Sequence, residues 1–151
     1  MKNGFTLIEL LVTISIIAIL MAISIASYDN LTKNARDSQR KSDLKQIQSA
    51  LEQYYRDNTS YPLSLPAPSW SPYLNQVPTE AVDTTNHPYL YIPLYVSATS
   101  ANATGCDNVS NNCTKYCLFA EMENSSNNNL VTECPNTISG ASTYHYSVSS
   151  P

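Results

Sequence analysis

The four cysteines could bind a metal or form disulfides, and all four lie in the C-terminal third of the 151-residue chain. Thiolates can bind zinc or pair as disulfides. Successive cysteines are separated by 6, 3 and 16 residues, which matches no common zinc pattern. If the apolar N-terminal segment exports the domain, its cysteines face an oxidising space, and an even number then predicts disulfides instead. Cys106, Cys113, Cys117 and Cys134 allow three pairings, and the sequence does not choose among them.

The sequence lacks a recognisable catalytic arrangement. His87 precedes a proline in a turn and His145 lies between two tyrosines, and neither has a convincing catalytic partner. Cysteines paired as disulfides are not nucleophiles. The chain has three glycines and contains no phosphate-binding glycine loop, no G-x-S-x-G and no H-E-x-x-H. We therefore expect that the protein is not an enzyme.

Acidic and amide side chains near the cysteines raise the question of a calcium site. The spacing does not fit an EF-hand loop, because Val109 stands where that loop needs an oxygen ligand. A run rich in Asn and Ser is more typical of an ordinary hydrophilic loop. We expect no cofactor and no metal, with a calcium ion in the C-terminal loops as the alternative. Its candidate ligands are Asp107, Asn108, Asn111, Asn112, Glu121 and Glu123.

Basic side chains cluster in one segment, and an acidic segment follows it. From Lys33 to Arg56 there are six bases and three acids, and from Asp57 onward seven acids and one base. A basic cluster could serve DNA uptake, but so small an excess is more typical of a solvated helix face that also forms ion pairs between subunits. The acidic body argues against nucleic acid as a partner. The cluster comprises Lys33, Arg36, Arg40, Lys41 and Lys45.

The N-terminal segment is apolar over a length that fits a membrane. Between Phe5 and Ala26 the only polar residues are Thr6, Glu9, Thr13, Ser15 and Ser24. A helix of this length rises about 33 Å, close to the roughly 30 Å of a hydrocarbon core. A carboxylate at mid-bilayer costs about 2.5–3.5 kcal/mol, so Glu9 needs a partner or a place near the headgroups. Lys2 favours a cytoplasmic N-terminus.

The run from Lys2 to Val12 combines a short basic leader, a glycine, a phenylalanine and one glutamate in an apolar stretch. It resembles the processing motif of type IV prepilins and type II secretion pseudopilins, and a looser resemblance continues through residues 36–55 to Tyr61-Pro62. The resemblance implies that a prepilin peptidase cuts between Gly4 and Phe5 and methylates the new Phe5 amine. Glu9 would then pair with the Phe5 amine of a neighbouring subunit, which fixes the stagger more than it adds stability.

Two other interpretations explain the hydrophobicity alone. A secretory signal peptide could be cut after the small-x-small run 24–26. Its apolar region would be too long, would contain Glu9 and would discard half of the helical pattern. A single-span anchor of an unrelated surface protein leaves the Gly4-Phe5 pair and Glu9 unexplained. We favour the prepilin interpretation over both.

The first predicted element is one long helix. No glycine or proline occurs from Phe5 to Tyr61, which permits a helix from Phe5 to about Asn58. Residues 5–26 are its transmembrane or filament-core part, and residues 27–58 are its amphipathic continuation. One apolar face comprises Leu44, Ile47, Leu51, Tyr54 and Tyr55. Acid-then-base pairs four residues apart are Asp29–Lys33, Asp37–Lys41 and Glu52–Arg56.

A proline-rich connecting loop at 59–87 and an antiparallel sheet domain at 88–151 follow the helix. Aromatic and β-branched runs predict strands at 89–96, 115–123 and 143–149, with a weaker candidate at 130–134. Pro93 indicates a sheet edge or a break. Tyrosines are expected at the helix–sheet interface with their hydroxyls near water, namely Tyr54, Tyr55, Tyr61, Tyr89, Tyr91 and Tyr95. The predicted fold is an α+β ladle, with the small sheet packed on the distal half of the helix.

The resemblance implies a structural subunit of a bacterial type IV pilus or a related filament, with residues 1–4 as a cleaved leader. Before assembly the subunit would span the cytoplasmic membrane once, with its C-terminal domain outside. Afterwards it would belong to a cell-surface or periplasmic filament. The implied partners are other copies in a helical homopolymer, the prepilin peptidase, the membrane assembly platform with its ATPase, and the lipid bilayer before assembly. The alternatives are a type II secretion pseudopilin and a competence or DNA-uptake minor pilin.

Overall fold

The computed structural model describes residues 4–66, 68–78, 89–95, 106–134 and 144–151. Parts of the sequence predictions lie outside these ranges. They include residues 1–3 of the leader, residues 79–87 of the connecting loop, His87, and the ends of two predicted strands at Val96 and Thr143.

One helix, α1, runs from Leu7 to Asn58 and rises about 78 Å over its 52 residues. Its end confirms the predicted position. Thr59 closes the helix in the left-handed conformation with φ of 58°, and its N–H donates to the Tyr55 carbonyl at 2.7 Å. The start lies two residues later than the predicted Phe5, because Thr6 adopts an extended conformation and caps the helix.

A three-stranded antiparallel sheet packs against the distal half of α1, as predicted. Its strands are β1 (Leu90–Leu94), β2 (Lys115–Ala120) and β3 (Tyr146–Ser149), in the order β1-β2-β3. Pro93 lies on the edge strand β1 opposite Tyr116, which confirms the edge prediction. Each strand is shorter than the run that predicted it. A single turn of 3₁₀ helix, Ser125–Asn127, lies between β2 and β3.

The weaker strand prediction at residues 130–134 is wrong. Backbone pairing with β3 is limited to a parallel bridge between Asn129 and Tyr146, and the Val131 N–H donates instead to the Ser147 hydroxyl at 3.0 Å. The chain then turns, with the Cys134 N–H donating to the Val131 carbonyl at 2.9 Å. This turn carries Cys134 to Cys117 on β2, and the covalent bond overrides the weak β propensity of the segment.

The core lies on both faces of the sheet. On the helix side, the predicted residues Leu44, Ile47 and Leu51 are buried against Tyr116 and Leu118 of β2. Successive strand residues point to opposite faces, so Cys117 and Phe119 form a second cluster on the far side. The remaining members of that cluster are Ile92, Leu94, Cys134 and Tyr144. The sheet therefore buries both of its faces at β2.

Tyrosines fill the helix–sheet interface as predicted, but several of their hydroxyls bond to the protein rather than lying near water. Tyr61 and Tyr116 both donate to the Glu52 carboxylate, each at 3.0 Å. Tyr89 donates to Asp43 at 2.8 Å, and Tyr91 donates to the Pro62 carbonyl at 2.6 Å. Burial raises the pKa of Tyr61, Tyr91 and Tyr116. Tyr54, Tyr55, Tyr89 and Tyr91 pack around the helix-side cluster, and Tyr95 lies half-buried beyond β1.

Candidate assembly interface

The N-terminal half of α1 presents its apolar side chains to its surroundings on every side. Their exposed fractions run from 46% at Val12 to 83% at Leu7, and Phe5 before the helix is 90% exposed. Within the described part of the chain, α1 is the one helix that is long and apolar enough to cross a membrane. So large an apolar surface requires either lipid or other protein chains around it. The exposed residues are Leu7, Ile8, Leu10, Leu11, Val12, Ile14, Ile16, Ile17, Ile19, Leu20, Met21, Ile23 and Ile25.

Polar side chains in this half bond to their own helix. Thr13 donates to the Leu10 carbonyl and Ser15 to the Val12 carbonyl, each at 2.8 Å. Ser24 donates to the Leu20 carbonyl at the same distance. Each hydroxyl is therefore satisfied without water, which suits a helix surrounded by hydrocarbon.

Glu9 and Thr6 form a capping box at the start of α1. The Glu9 Oε2 atom accepts from the Thr6 N–H at 2.8 Å and from the Thr6 hydroxyl at 2.7 Å, and the Glu9 N–H donates to Thr6 Oγ1 at 3.4 Å. The sequence carries the signal for this arrangement, a threonine followed three residues later by glutamate. The sequence predicts a place near the headgroups or an intermolecular partner for Glu9. In the single subunit, the carboxylate instead caps its own helix.

Gly4 and Phe5 precede the helix. A Cβ atom built on Gly4 meets nothing within 4 Å, and residues 4–6 form no regular structure. The peptide bond between Gly4 and Phe5 therefore lies on open backbone that an external cleft can reach.

A polar clamp joins the middle of α1 to the segment after β2. At its centre, the fully buried Asp37 accepts from Arg40 Nη1 at 2.6 Å and from the backbone N–H groups of Glu123 and Asn124 at 2.9 and 3.0 Å. Arg40 Nη2 also donates to Glu123 Oε1 at 2.8 Å. The clamp comprises Asn34, Arg36, Asp37 and Arg40 of α1 with Glu123, Asn124 and Asn127.

The clamp changes the ionisation of its carboxylates. Hydrogen bonds from Arg36, which pairs with Glu123 through Nε and Nη2, together with those from Arg40 lower the pKa of Glu123 to about 2. Burial raises the pKa of Asp37, but hydrogen bonds from the Glu123 N–H and from Asn127, Asn124 and Arg40 lower it by more. The net pKa of Asp37 lies below its ordinary value, so both groups are held as anions.

The clamp corrects the prediction of a solvated basic face. Arg40 is only 5% exposed and is bound inside its own subunit, and Lys41 donates to Asn127 at 2.9 Å. Asp37 takes Arg40 as its charged partner, although local spacing favoured Lys41. Lys45 remains exposed, and the predicted pair Asp29–Lys33 forms at 2.8 Å. No local pattern predicts the clamp, because Asp37 and Glu123 lie 86 residues apart.

Comparison with known proteins places these features in a family. Residues 1–25 match the family model described as the prokaryotic N-terminal methylation motif. The type II secretion system core protein G of Pseudomonas aeruginosa is 31% identical over 107 residues, which are 60% of this chain and 73% of that protein.

The chain belongs to the type IV pilin and pseudopilin family. Two type IV major pilins are also similar. PilE1 of Neisseria gonorrhoeae is 35% identical over 48% of this chain and 34% of its own length, and PilA of Myxococcus xanthus is 34% identical over 40% and 27%. The chain thus spans about a third of these two pilins. No solved structure matches it significantly. Pilins and pseudopilins are structural proteins rather than enzymes.

Two disulfides cross-link the sheet domain of this pilin-like chain, which confirms the prediction of disulfides rather than a zinc site. Cys106 pairs with Cys113, and Cys117 pairs with Cys134. Cys113, Cys117 and Cys134 are fully buried, whereas Cys106 is partly exposed. This is one of the three pairings that the spacing allowed.

Three of the calcium candidates, Asp107, Asn108 and Glu123, have side chains that bond to the protein. Asp107 Oδ1 accepts from the backbone N–H groups of Val109, Ser110 and Asn111 at 2.8–2.9 Å, and these hydrogen bonds lower the pKa of Asp107. Asn108 Nδ2 donates to the Tyr61 carbonyl, and Asn108 Oδ1 accepts from the Cys113 N–H. Glu123 belongs to the clamp. Among the residues that the structure describes, no three acidic, histidine or cysteine side chains form a group that could hold a metal.

Proposed function

We propose that this chain is a prepilin-type structural subunit that waits in the cytoplasmic membrane and is then assembled into a helical filament through residues 5–26. One observation carries the proposal. A single 52-residue helix has its distal half covered by its own sheet domain and its apolar half bare. Lipid covers that half before assembly, and the same half of other copies covers it afterwards.

Proteolytic processing is the first step toward the filament. A prepilin peptidase on the cytoplasmic face cuts the open Gly4–Phe5 bond and methylates the new amine of Phe5. The match to the N-terminal methylation motif over residues 1–25 supports this order of events. The cut removes Lys2 and leaves Phe5 one residue before the cap at Thr6.

Glu9 exchanges partners during assembly. In the single subunit its carboxylate caps the helix through Thr6. In the filament it pairs with the positively charged Phe5 amine of a neighbouring subunit. That pair offsets both charges inside an apolar core and favours one stagger of the subunits over others.

Two substitutions of Glu9 distinguish the role of its charge from its role in capping the helix. Glu9→Gln keeps an amide oxygen that can accept from Thr6 but removes the charge, whereas Glu9→Val removes both. We expect both variants to be processed and to fail in assembly, measured by the yield of sheared or sedimented filaments. Normal filament yield from Glu9→Gln would show that capping is the only role of Glu9 and would contradict the proposed pair.

The filament has two candidate identities. Two disulfides in the exposed domain favour a surface pilus. The match to secretion core protein G, which covers more of both chains than the pilin matches, favours a type II secretion pseudopilus. Both use a membrane assembly platform and an ATPase. Arg40 of the basic cluster is paired with Asp37 and Glu123 of its own subunit, which does not support a role in DNA uptake.

Electron microscopy of wild-type cells and cells that lack the gene separates the candidates. Loss of long surface filaments, restored by the wild-type gene and not by Glu9→Val, supports a pilus. Retained filaments together with failed export of secreted proteins support a pseudopilus. If the deletion changes neither filaments nor export, the proposed function is wrong.

A further inference from the structure

The two disulfides lie in different surroundings. Cys117 and Cys134 are both fully buried in the cluster on the far side of the sheet, among Ile92, Phe119 and Tyr144. A thiol reagent can reach either sulfur only if the sheet opens. Cys106, in contrast, is partly exposed at the start of a short loop that its bond to Cys113 closes.

The 106–113 loop keeps its shape through hydrogen bonds of its own. Asp107 Oδ1 accepts from three successive backbone N–H groups, those of residues 109–111. Asn108 Oδ1 accepts from the Cys113 N–H at 2.8 Å, and the Asp107 N–H donates to the Asn111 carbonyl at 3.0 Å. None of these bonds involves a strand. The loop can therefore lose its disulfide without unfolding of the sheet.

We propose that the Cys106–Cys113 bond is a thiol-exchange site of the folded protein, attacked at Cys106 Sγ, and that Cys117–Cys134 stays oxidised until the sheet unfolds. The partner is a dithiol, either a small molecule or the active-site pair of a thiol–disulfide oxidoreductase. Because Cys113 is fully buried and Cys106 is partly exposed, Cys106 Sγ is the sulfur that an external thiolate attacks, in line with the bond to Cys113. The proposal does not rest on filament assembly.

The exchange balances in two steps. A thiolate of the dithiol bonds to Cys106 Sγ while the Cys106–Cys113 bond breaks, and the electron pair leaves on Cys113 Sγ, which takes a proton. The second thiol of the reagent, as thiolate, then attacks the reagent's own sulfur in the mixed disulfide. Cys106 leaves as a thiolate and is protonated. Two electrons have passed from the dithiol, now a disulfide, to the protein.

The loop that the Cys106–Cys113 bond closes contacts the segment that follows α1. The Tyr61 N–H donates to the Cys113 carbonyl at 2.7 Å, and Asn108 Nδ2 donates to the Tyr61 carbonyl at 2.8 Å. The Tyr61 hydroxyl in turn bonds to Glu52 on α1. The Cys106–Cys113 bond thus closes the loop that contacts the segment after the helix, whereas Cys117–Cys134 joins β2 to the turn before β3.

Differential alkylation of the full chain in detergent micelles tests the proposal. The folded protein is treated with dithiothreitol, new thiols are trapped with iodoacetamide, and the remaining cysteines are reduced in denaturant and labelled with an isotopically heavy reagent. Mass spectrometry should show the first label on Cys106 and Cys113 at least about ten times faster than on Cys117 and Cys134. Equal rates for both pairs, faster labelling of the core pair, or no reduction before denaturation would each overturn it.

A loop variant gives an independent check that keeps all four cysteines. Asn108→Ala removes the side-chain bonds to Cys113 and Tyr61, so the Cys106–Cys113 bond should be reduced several-fold faster while Cys117–Cys134 is unaffected. The matched control is Asn128→Ala, an exposed asparagine in another loop, which should change neither rate. An unchanged rate in Asn108→Ala, or acceleration of both bonds, would contradict local access through this loop.

Discussion

Asp37 illustrates at the residue scale how a buried charge can organise a subunit. Its carboxylate is fully buried and accepts hydrogen bonds from the Arg40 guanidinium, from two backbone N–H groups and from the Asn127 amide. A buried charge pair of this kind contributes little net stability against an apolar alternative, but it is costly to break. We infer that the clamp serves to fix the sheet domain at one position along the helix.

Removal of the Asp37 carboxylate should therefore destabilise the subunit strongly. Asp37→Ala leaves the buried Arg40 guanidinium and two backbone donors without that acceptor, and we expect a loss of about 3–5 kcal/mol in the free energy of unfolding. The control is Asp29→Ala, which breaks the exposed pair with Lys33 and should cost less than about 1 kcal/mol. Urea unfolding of the full chain in micelles measures both. Equal effects would contradict a central role for Asp37.

The lowered pKa of Glu123 makes the clamp sensitive to acid. Its pKa is about 2 in the folded chain against an ordinary 4.5, so between these values the unfolded chain binds the proton and the folded chain does not. Stability is fully present above about pH 4.5 and is lost as the pH falls toward 2. The side chain is 28% exposed, so solvent screening limits the loss to about 1 kcal/mol.

The comparison of wild type with Glu123→Gln isolates this effect. The variant should be less stable at pH 7, and its unfolding free energy should fall less steeply between pH 4.5 and 2. Parallel curves for the two proteins over that range would show that Glu123 is not the titrating group.

At the element scale, the sequence predicted α1 well because its signals are local. The absence of glycine and proline, the apolar run and the face formed by Leu44, Ile47 and Leu51 all depend on near neighbours. The helix begins two residues after the predicted start because Thr6 and Glu9 form a capping box there. The clamp and the disulfide pairing escaped prediction, because both join residues whose proximity depends on the folded sheet.

The apolar face of α1 should hold the sheet domain. Leu51 is fully buried between helix and sheet, so Leu51→Ala should lower the free energy of unfolding by about 2–5 kcal/mol. Leu31, which is 65% exposed on the same helix, supplies the matched control, since Leu31→Ala removes no buried contact within the subunit. Urea unfolding monitored by tyrosine and tryptophan fluorescence measures both. A comparable loss in Leu31→Ala would contradict the assigned core.

At the scale of the whole molecule, α1 has two different environments along its length. The sheet domain covers the distal half with a conventional core, two disulfides and the clamp. The proximal half has no such cover in the single subunit and depends on lipid or on other copies.

We expect that this chain is processed after Gly4 and enters a filament with a new N-terminus. Mass spectrometry of the N-terminal peptide, from protein recovered from the membrane and filament fractions of cells, tests it most directly. We expect a chain that begins at Phe5 and carries one methyl group on its amine. A chain that begins at Ser27, or one that keeps Met1 to Gly4 in the filament fraction, would contradict it.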